Sequence, residues 1–250
     1  MSTEHRPELD ERDLRRQVLH AVLQASASGI NAGTSGNASA RCGRAMVITP
    51  SAIRYDRMEP EDLVLVDLDG TIHGPGRPSS EWRFHAGIYQ ARPEVGAVMH
   101  LHSPAATAVA CLRRDVPPFH YMVAAAGGPT IRCAPYATFG TAALAEATVG
   151  ALDGRFACLL ANHGQVALGP TPDDALALAT EVETLCDQYL RACAAGRPVL
   201  LSRHEMDEAV ERFQRYRAGT LDDAGPGMTG RGTPVLGAST TEDRAGDRPG

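Results

Sequence analysis

Short apolar runs, each closed off by Gly, Pro, Asp or Asn, alternate irregularly with longer stretches of helical period, and no unit repeats. That mixture confines the chain to an α/β or α+β domain with one core. Leu14, Val18, Leu19, Val22 and Leu23 recur at three- and four-residue spacing, which predicts a helix over 8–28 with Gly29 as its stop. Strands are expected at 45–49, 63–67, 71–73, 96–102, 156–161 and 165–168. Helices are expected at 81–91, opened by a Ser79-Ser80 cap and closed before Pro93, and at 105–114, with arginines in its last turn. Two more are expected at 171–195, opened by Thr171-Pro172, and at 203–217. A domain over 1–219 can bury its core without disulfides. The segment 220–250 is Gly, Pro, Thr, Asp and Arg without period, and reads as a disordered tail.

Composition narrows the chemistry. The chain has no lysine; all 24 basic residues are arginine. Schiff-base catalysis, pyridoxal phosphate anchoring and a G-x-x-x-x-G-K-[ST] phosphate loop each need that amine, so all three are excluded. Any carbonyl chemistry must then rely on a metal or on hydrogen bonds. The net charge of −6 offers no basic stripe for nucleic acid. No apolar run reaches the ~18 residues of a membrane span. The six cysteines (Cys42, Cys111, Cys133, Cys158, Cys186 and Cys193) form no C-x-x-C pair and are expected as buried free thiols. With a polar N-terminal stretch, these features point to a reducing cytoplasm.

His100-Leu101-His102 lies in an expected strand, where residues two apart share a face. Two imidazoles so placed can hold one cation, but an isolated H-x-H is also what two backbone-satisfied histidines look like. His163 sits in Asn-His-Gly, a tight turn between two apolar runs, where packing explains an imidazole poorly. Three histidines without a thiolate make the ligand set of an open catalytic site rather than a closed structural one. Glu81 follows two serines at a helix start, beside N–H groups that lack intrahelical partners. Next to a metal it becomes a general base; alone it is an ordinary N-terminal charge. The loop Gly33-Thr34-Ser35-Gly36-Asn37 could cradle a phosphate or simply turn.

Several stretches together resemble the class II aldolase and adducin family, in its fuculose-1-phosphate aldolase branch. They are Gly-Thr-Ser-Gly-Asn at 33–37, Ile-Thr-Pro-Ser at 48–51, Ser-Ser-Glu-Trp-Arg-Phe-His at 79–85, His-x-His at 100–102, His-Tyr-Met at 120–122, Ala-Pro-Tyr-Ala-Thr-Phe-Gly-Thr at 134–141, and Asn-His-Gly at 162–164. The resemblance spans about 18–216. It implies a three-layer α/β/α domain with a central, mainly antiparallel sheet. It implies one Zn2+ per subunit on His100, His102 and His163, with Glu81 an early ligand and the proton shuttle. Thr34, Gly36, Asn37, Ser51, Ser79 and Ser80 would hold a substrate phosphate. Tyr121, from a neighbouring subunit, would be the acid facing the aldehyde oxygen, and Phe139 and Tyr216 would shape the aldehyde side. The implied partner is a sugar phosphate, with neither nucleic acid nor membrane involved. The implied assembly is a homotetramer with active sites between subunits.

The reaction so implied is reversible cleavage of a deoxyketose 1-phosphate, such as L-fuculose 1-phosphate, to dihydroxyacetone phosphate and a short aldehyde. Members of the same fold that act as pentulose-phosphate 4-epimerases, methylthioribulose-1-phosphate dehydratases or metal-free adducin-like modules are the alternatives. Glu81 stands where the epimerases carry Asp. One departure concerns the phosphate loop: Ser51-Ala52 replaces the Thr-Gly of relatives. If the loop needs a positive φ there, Ala52 costs about 1 kcal/mol or more.

Overall fold

The computed structural model describes residues 10–31 and 35–218. The expected tail at 220–250, the first residues of the expected N-terminal helix, and Gly33 and Thr34 lie outside them. Eight strands form one sheet: β1 Asn37–Cys42, β2 Ala45–Ile48, β3 Val64–Asp67, β4 Ile72–His73, β5 Ala97–Leu101, β6 Arg132–Ala134, β7 Ala157–Leu160 and β8 Gly164–Gly169. Six α-helices accompany them: α1 Glu11–Ala27, α2 Trp82–Ala91, α3 Pro104–Cys111, α4 Ala142–Ala151, α5 Pro172–Ala195 and α6 Arg203–Arg217. The sheet order is β4-β3-β2-β1-β5-β8-β7-β6. Every pairing is antiparallel except β6 with β7, so the sheet is mainly antiparallel as expected.

The expectation of one core is corrected to two. A sheet covered on both faces buries alternate residues on opposite sides. Ala157 and Leu159 of β7 join one apolar cluster, while Cys158 and Leu160 join the other. Residues of α1, α3, α5 and α6 belong to the first cluster, and those of α2 and α4 to the second. The result is the three-layer α/β/α arrangement. The cysteine expectation holds only in part: no disulfide joins any of the six, but only Cys158 and Cys186 are buried, and Cys111 and Cys193 are exposed. Among the described residues no helix is long and apolar enough to cross a membrane.

Most helix starts follow from their first residues. Asp10, Thr171 and Ser202 each accept a hydrogen bond from the N–H three residues on, and Ser202 forms a reciprocal box with Glu205. Each cap contributes about 1 kcal/mol. Helix α2 departs from the expected serine cap. Glu81 itself holds the cap position and makes no side-chain cap bond, because its carboxylate turns into the protein. Helix α3 ends at Cys111, and Arg113 adopts φ 54, so the expected last-turn arginines lie beyond the helix.

Three elements are invisible to periodicity. Strand β1 reads Asn-Ala-Ser-Ala-Arg-Cys, without a β-branched or aromatic residue, and pairs with strands on both sides. Strand β6 has three residues. Helix α4 is built of small residues all round, so no apolar stripe announces it, and it packs against α2.

Candidate metal centre

Four side chains from three distant segments meet at one point. His100 projects from β5 onto the α2 face of the sheet, while Leu101 points into the opposite core, as strand alternation requires. His102 lies one residue past the end of β5, and His163 sits in the turn joining β7 to β8. Strands β5 and β8 pair, with His100 opposite Val166, which brings that turn beside the two histidines. Gly164 is required there: a Cβ would stand 2.4 Å from the Leu101 carbonyl oxygen. Glu81 arrives from the start of α2.

The three imidazole centroids are 4.8 to 4.9 Å apart, and the rings stand nearly perpendicular to one another. One ligand atom from each of Glu81, His100, His102 and His163 lies within 4.8 Å of the others. Glu81 Oε2 is 3.2 Å from His100 Nε2, and Oε1 is 3.3 Å from His163 Nε2. Ligands ~2.0–2.1 Å from one tetrahedral ion lie about 3.3 Å from each other, which matches this spacing.

Protonation supports a cation. His100 Nδ1 donates to the Gln165 carbonyl, 2.8 Å away, which leaves the Nε2 lone pair as the one that can coordinate. That lone pair faces His102 Nε2 at 3.0 Å. Glu81 Oε1 is buried without a hydrogen-bond partner. A divalent ion satisfies both at once, so the residues present fit one. Burial, reinforced by the neighbouring rings, lowers His102 and His163 to about 4, which keeps them unprotonated and free to coordinate. Burial raises the Glu81 carboxyl, but any proton on the facing His100 or His163 ring, together with the Asn37 hydrogen bond, outweighs it and holds the group at about 2, so that it stays an anion.

The surroundings hold the ligands in place. Gln165 donates to Ser103 Oγ and to the Ala179 carbonyl, and Glu183 of α5 accepts the N–H groups of Ala105 and Ala106. These bonds pin the segment after His102. Asn37 Nδ2 donates to Glu81 Oε2 at 3.0 Å, and Asn37 Oδ1 lies 2.5 Å from His85 Nε2. His85 Nδ1 is 2.7 Å from Ser39 Oγ, which is 2.8 Å from the Tyr89 hydroxyl. Gln165, His85, Ser39 and Tyr89 were not singled out by sequence reasoning, although Asn-x-Ser on a strand and Glu-x-x-x-His-x-x-x-Tyr on a helix are the spacings that could have shown them.

A cavity of about 460 Å³ opens beside Glu81, His102 and His163. Gly36, Asn37, Ser51, Ser79, Ser80 and Phe139 line it, together with Tyr136 and Asn162, which the sequence reading did not include. Gly36 adopts φ 86, and a Cβ there would stand 2.6 Å from the His100 carbonyl oxygen. Ser51 donates from Oγ to the Pro78 carbonyl, so the two loops are tied together. Ala52 has φ 65, so the condition attached to it is met. The Thr34 expectation falls outside the described residues. Tyr121 is 55% exposed and Tyr216 is 65% exposed; neither lines this cavity in its own chain, and Tyr216 borders a separate groove between α5 and α6.

Comparison with known proteins finds relatives along most of the chain. Residues 16–190 match the family described as Class II Aldolase and Adducin N-terminal domain. A 5-methylthioribulose-1-phosphate/5-deoxyribulose-1-phosphate aldolase of Rhodospirillum rubrum is 48% identical over 203 residues, covering 81% of this chain and 92% of that protein. An L-fuculose phosphate aldolase of Escherichia coli is 44% identical over 209 residues, covering 83% of this chain and 97% of that protein. A solved L-fuculose 1-phosphate aldolase superposes with a TM-score of 0.79 at 36% identity, covering 84% of this chain and all of that one.

Proposed function

Because the chain belongs to the class II aldolase and adducin N-terminal domain family and is a metal-dependent aldolase, we propose that it reversibly cleaves a deoxyketose 1-phosphate to dihydroxyacetone phosphate and a short aldehyde. The observation carrying this reading is the meeting of three imidazoles and one carboxylate beside a cavity lined by serine hydroxyls and glycine backbone on one side and by Tyr136 and Phe139 on another. His100, His102 and His163 would hold one Zn2+ per subunit, with Glu81 an early ligand. When bound, the cation supplies the Lewis acid that lysine cannot be in this chain, polarising the substrate carbonyl.

The chain's own groups do the rest. Ser51, Ser79, Ser80, Asn37 and the backbone about Gly36 receive the phosphate, and Thr34 is assigned with them. In cleavage the C3–C4 bond breaks, and Glu81 delivers a proton to the carbon left behind; in synthesis it removes that proton. Tyr121 of a neighbouring subunit protonates the aldehyde oxygen in synthesis, consistent with its exposure away from its own cavity. Phe139 and Tyr216 are assigned to the aldehyde side, and the working form is taken to be the homotetramer that the family resemblance implies, with Tyr121 crossing between subunits. The setting is the cytoplasm.

The substrate is L-fuculose 1-phosphate or a 5-deoxypentulose 1-phosphate, which share the phosphorylated half and differ in the aldehyde. Offering dihydroxyacetone phosphate with L-lactaldehyde and with acetaldehyde, and identifying the products by NMR, decides between them; condensation with neither overturns the reading. Glu81→Gln is expected to keep the metal and stop tritium release from labelled dihydroxyacetone phosphate. His100→Ala is expected to lose both metal and activity while remaining folded.

A further inference from the structure

Glu81 is held by more than its metal-ligand neighbours. Helix α2 presents Glu81, His85 and Tyr89 four residues apart, on one face, at ~6 Å intervals. Strand β1 beneath it presents Asn37 and Ser39 two residues apart, at ~6.7 Å. The two spacings nearly match, so the side chains interleave in the order Glu81, Asn37, His85, Ser39, Tyr89, with successive contacts of 3.0, 2.5, 2.7 and 2.8 Å. All five residues are buried.

The direction of each bond follows by elimination. A carboxylate only accepts, so Asn37 must turn its NH2 toward Glu81. Its carbonyl oxygen then faces His85, so Nε2 of that ring carries the proton. Nδ1 is left as an acceptor, so the Ser39 hydroxyl donates to it and accepts in turn from Tyr89. An amide alone can flip, and flipped it would set its oxygen against the Glu81 carboxylate. The His85 N–H opposes that orientation, which would require the ring to move its proton to Nδ1 and the Ser39 hydroxyl to accept instead of donate.

We infer that His85 is a positioning residue for this reaction: through Asn37 it fixes the orientation of the Glu81 carboxylate, with Ser39 and Tyr89 fixing the ring. The inference rests on the assignment of proton transfer to Glu81. His85 is neither a candidate cation ligand nor part of the cavity wall; it reaches Glu81 only through Asn37, which lines the cavity.

The test combines a spectroscopic readout with variants. In the metal-loaded wild-type protein, 15N spectra of labelled histidine are expected to show one ring protonated at Nε2 and unprotonated at Nδ1, a signal lost in His85→Gln. A His85 ring protonated at Nδ1 instead overturns the inference. His85→Gln keeps an N–H toward Asn37, whereas His85→Leu has none. Tritium release from labelled dihydroxyacetone phosphate is expected to fall about tenfold in kcat for His85→Leu, with KM and metal content unchanged, and to recover most of the way in His85→Gln. Should His85→Leu not fold, Tyr89→Phe serves, with a smaller fall in kcat at unchanged metal content. Equal rates in the Leu and Gln variants, or losses that follow metal content, overturn the positioning role. Glu81→Gln is run alongside: normal exchange there overturns the proton assignment and this inference together, whereas its loss with equal His85 variants removes only the latter.

Discussion

Ala52 adopts φ 65, where a Cβ crowds the neighbouring carbonyl and glycine alone is unstrained. It lines the cavity next to Ser51, so the strain sits in the loop assigned to the phosphate. Ala52→Gly is expected to raise stability by about 0.5–1 kcal/mol, read as a higher urea midpoint; a lower midpoint would show the strain to be absorbed elsewhere. His85 is a second case of residue-level cost. Burial lowers its pKa to about 3, against ~6.5 in an unfolded chain. The unfolded state therefore binds the proton first, so this contribution to stability is complete above about pH 6.5 and drains away as pH falls toward 3. His102 and His163, also lowered, act in the same direction. The metal-free protein should lose about 1 kcal/mol from His85 alone between pH 7.5 and 5.5, and comparing urea midpoints of wild type and His85→Gln at the two values separates it from His102 and His163.

At the scale of elements, the contact of β5 with the β7–β8 turn decides whether the histidines meet. Gly164 is where the backbones approach most closely, with the Leu101 carbonyl in the space a side chain would need. Gly164→Ala must push the turn away from β5, carrying His163 with it. The expected result is a loss of about 2–3 kcal/mol and weakened metal retention, measured by thermal unfolding and by metal analysis after dialysis. Full retention would mean that the turn relaxes without moving His163.

For the molecule as a whole, the four candidate ligands link the start of α2, the end of β5 and the β7–β8 turn, segments far apart in the chain. A cation held by the folded state alone adds stability of RT ln(1 + [M]/Kd), about 2.7 kcal/mol at a hundredfold excess over Kd. Chelation should lower the unfolding temperature, and restoring Zn2+ should return it. An unfolding temperature indifferent to chelator would argue that these ligands do not share an ion.

Read without coordinates, the chain already excluded lysine chemistry, brought out His100, His102, His163 and Glu81, and placed α5 and α6 almost to the residue. The lysine exclusion and the helices rest on residue chemistry and on local spacing, which a strand or helix imposes wherever it lies, whereas the residues alone left the roles of the histidines and Glu81 open and the family resemblance supplied them. Hidden from such reading were β1, whose small and polar residues carry no period, and α4, which has no apolar stripe. Hidden too were the rotation of Glu81 away from its helix cap and the interleaving of α2 over β1 that gives His85 its partners. Only the tertiary structure decides these, because which strand lies beside which, and which helix covers it, is set by the burial of both sheet faces together.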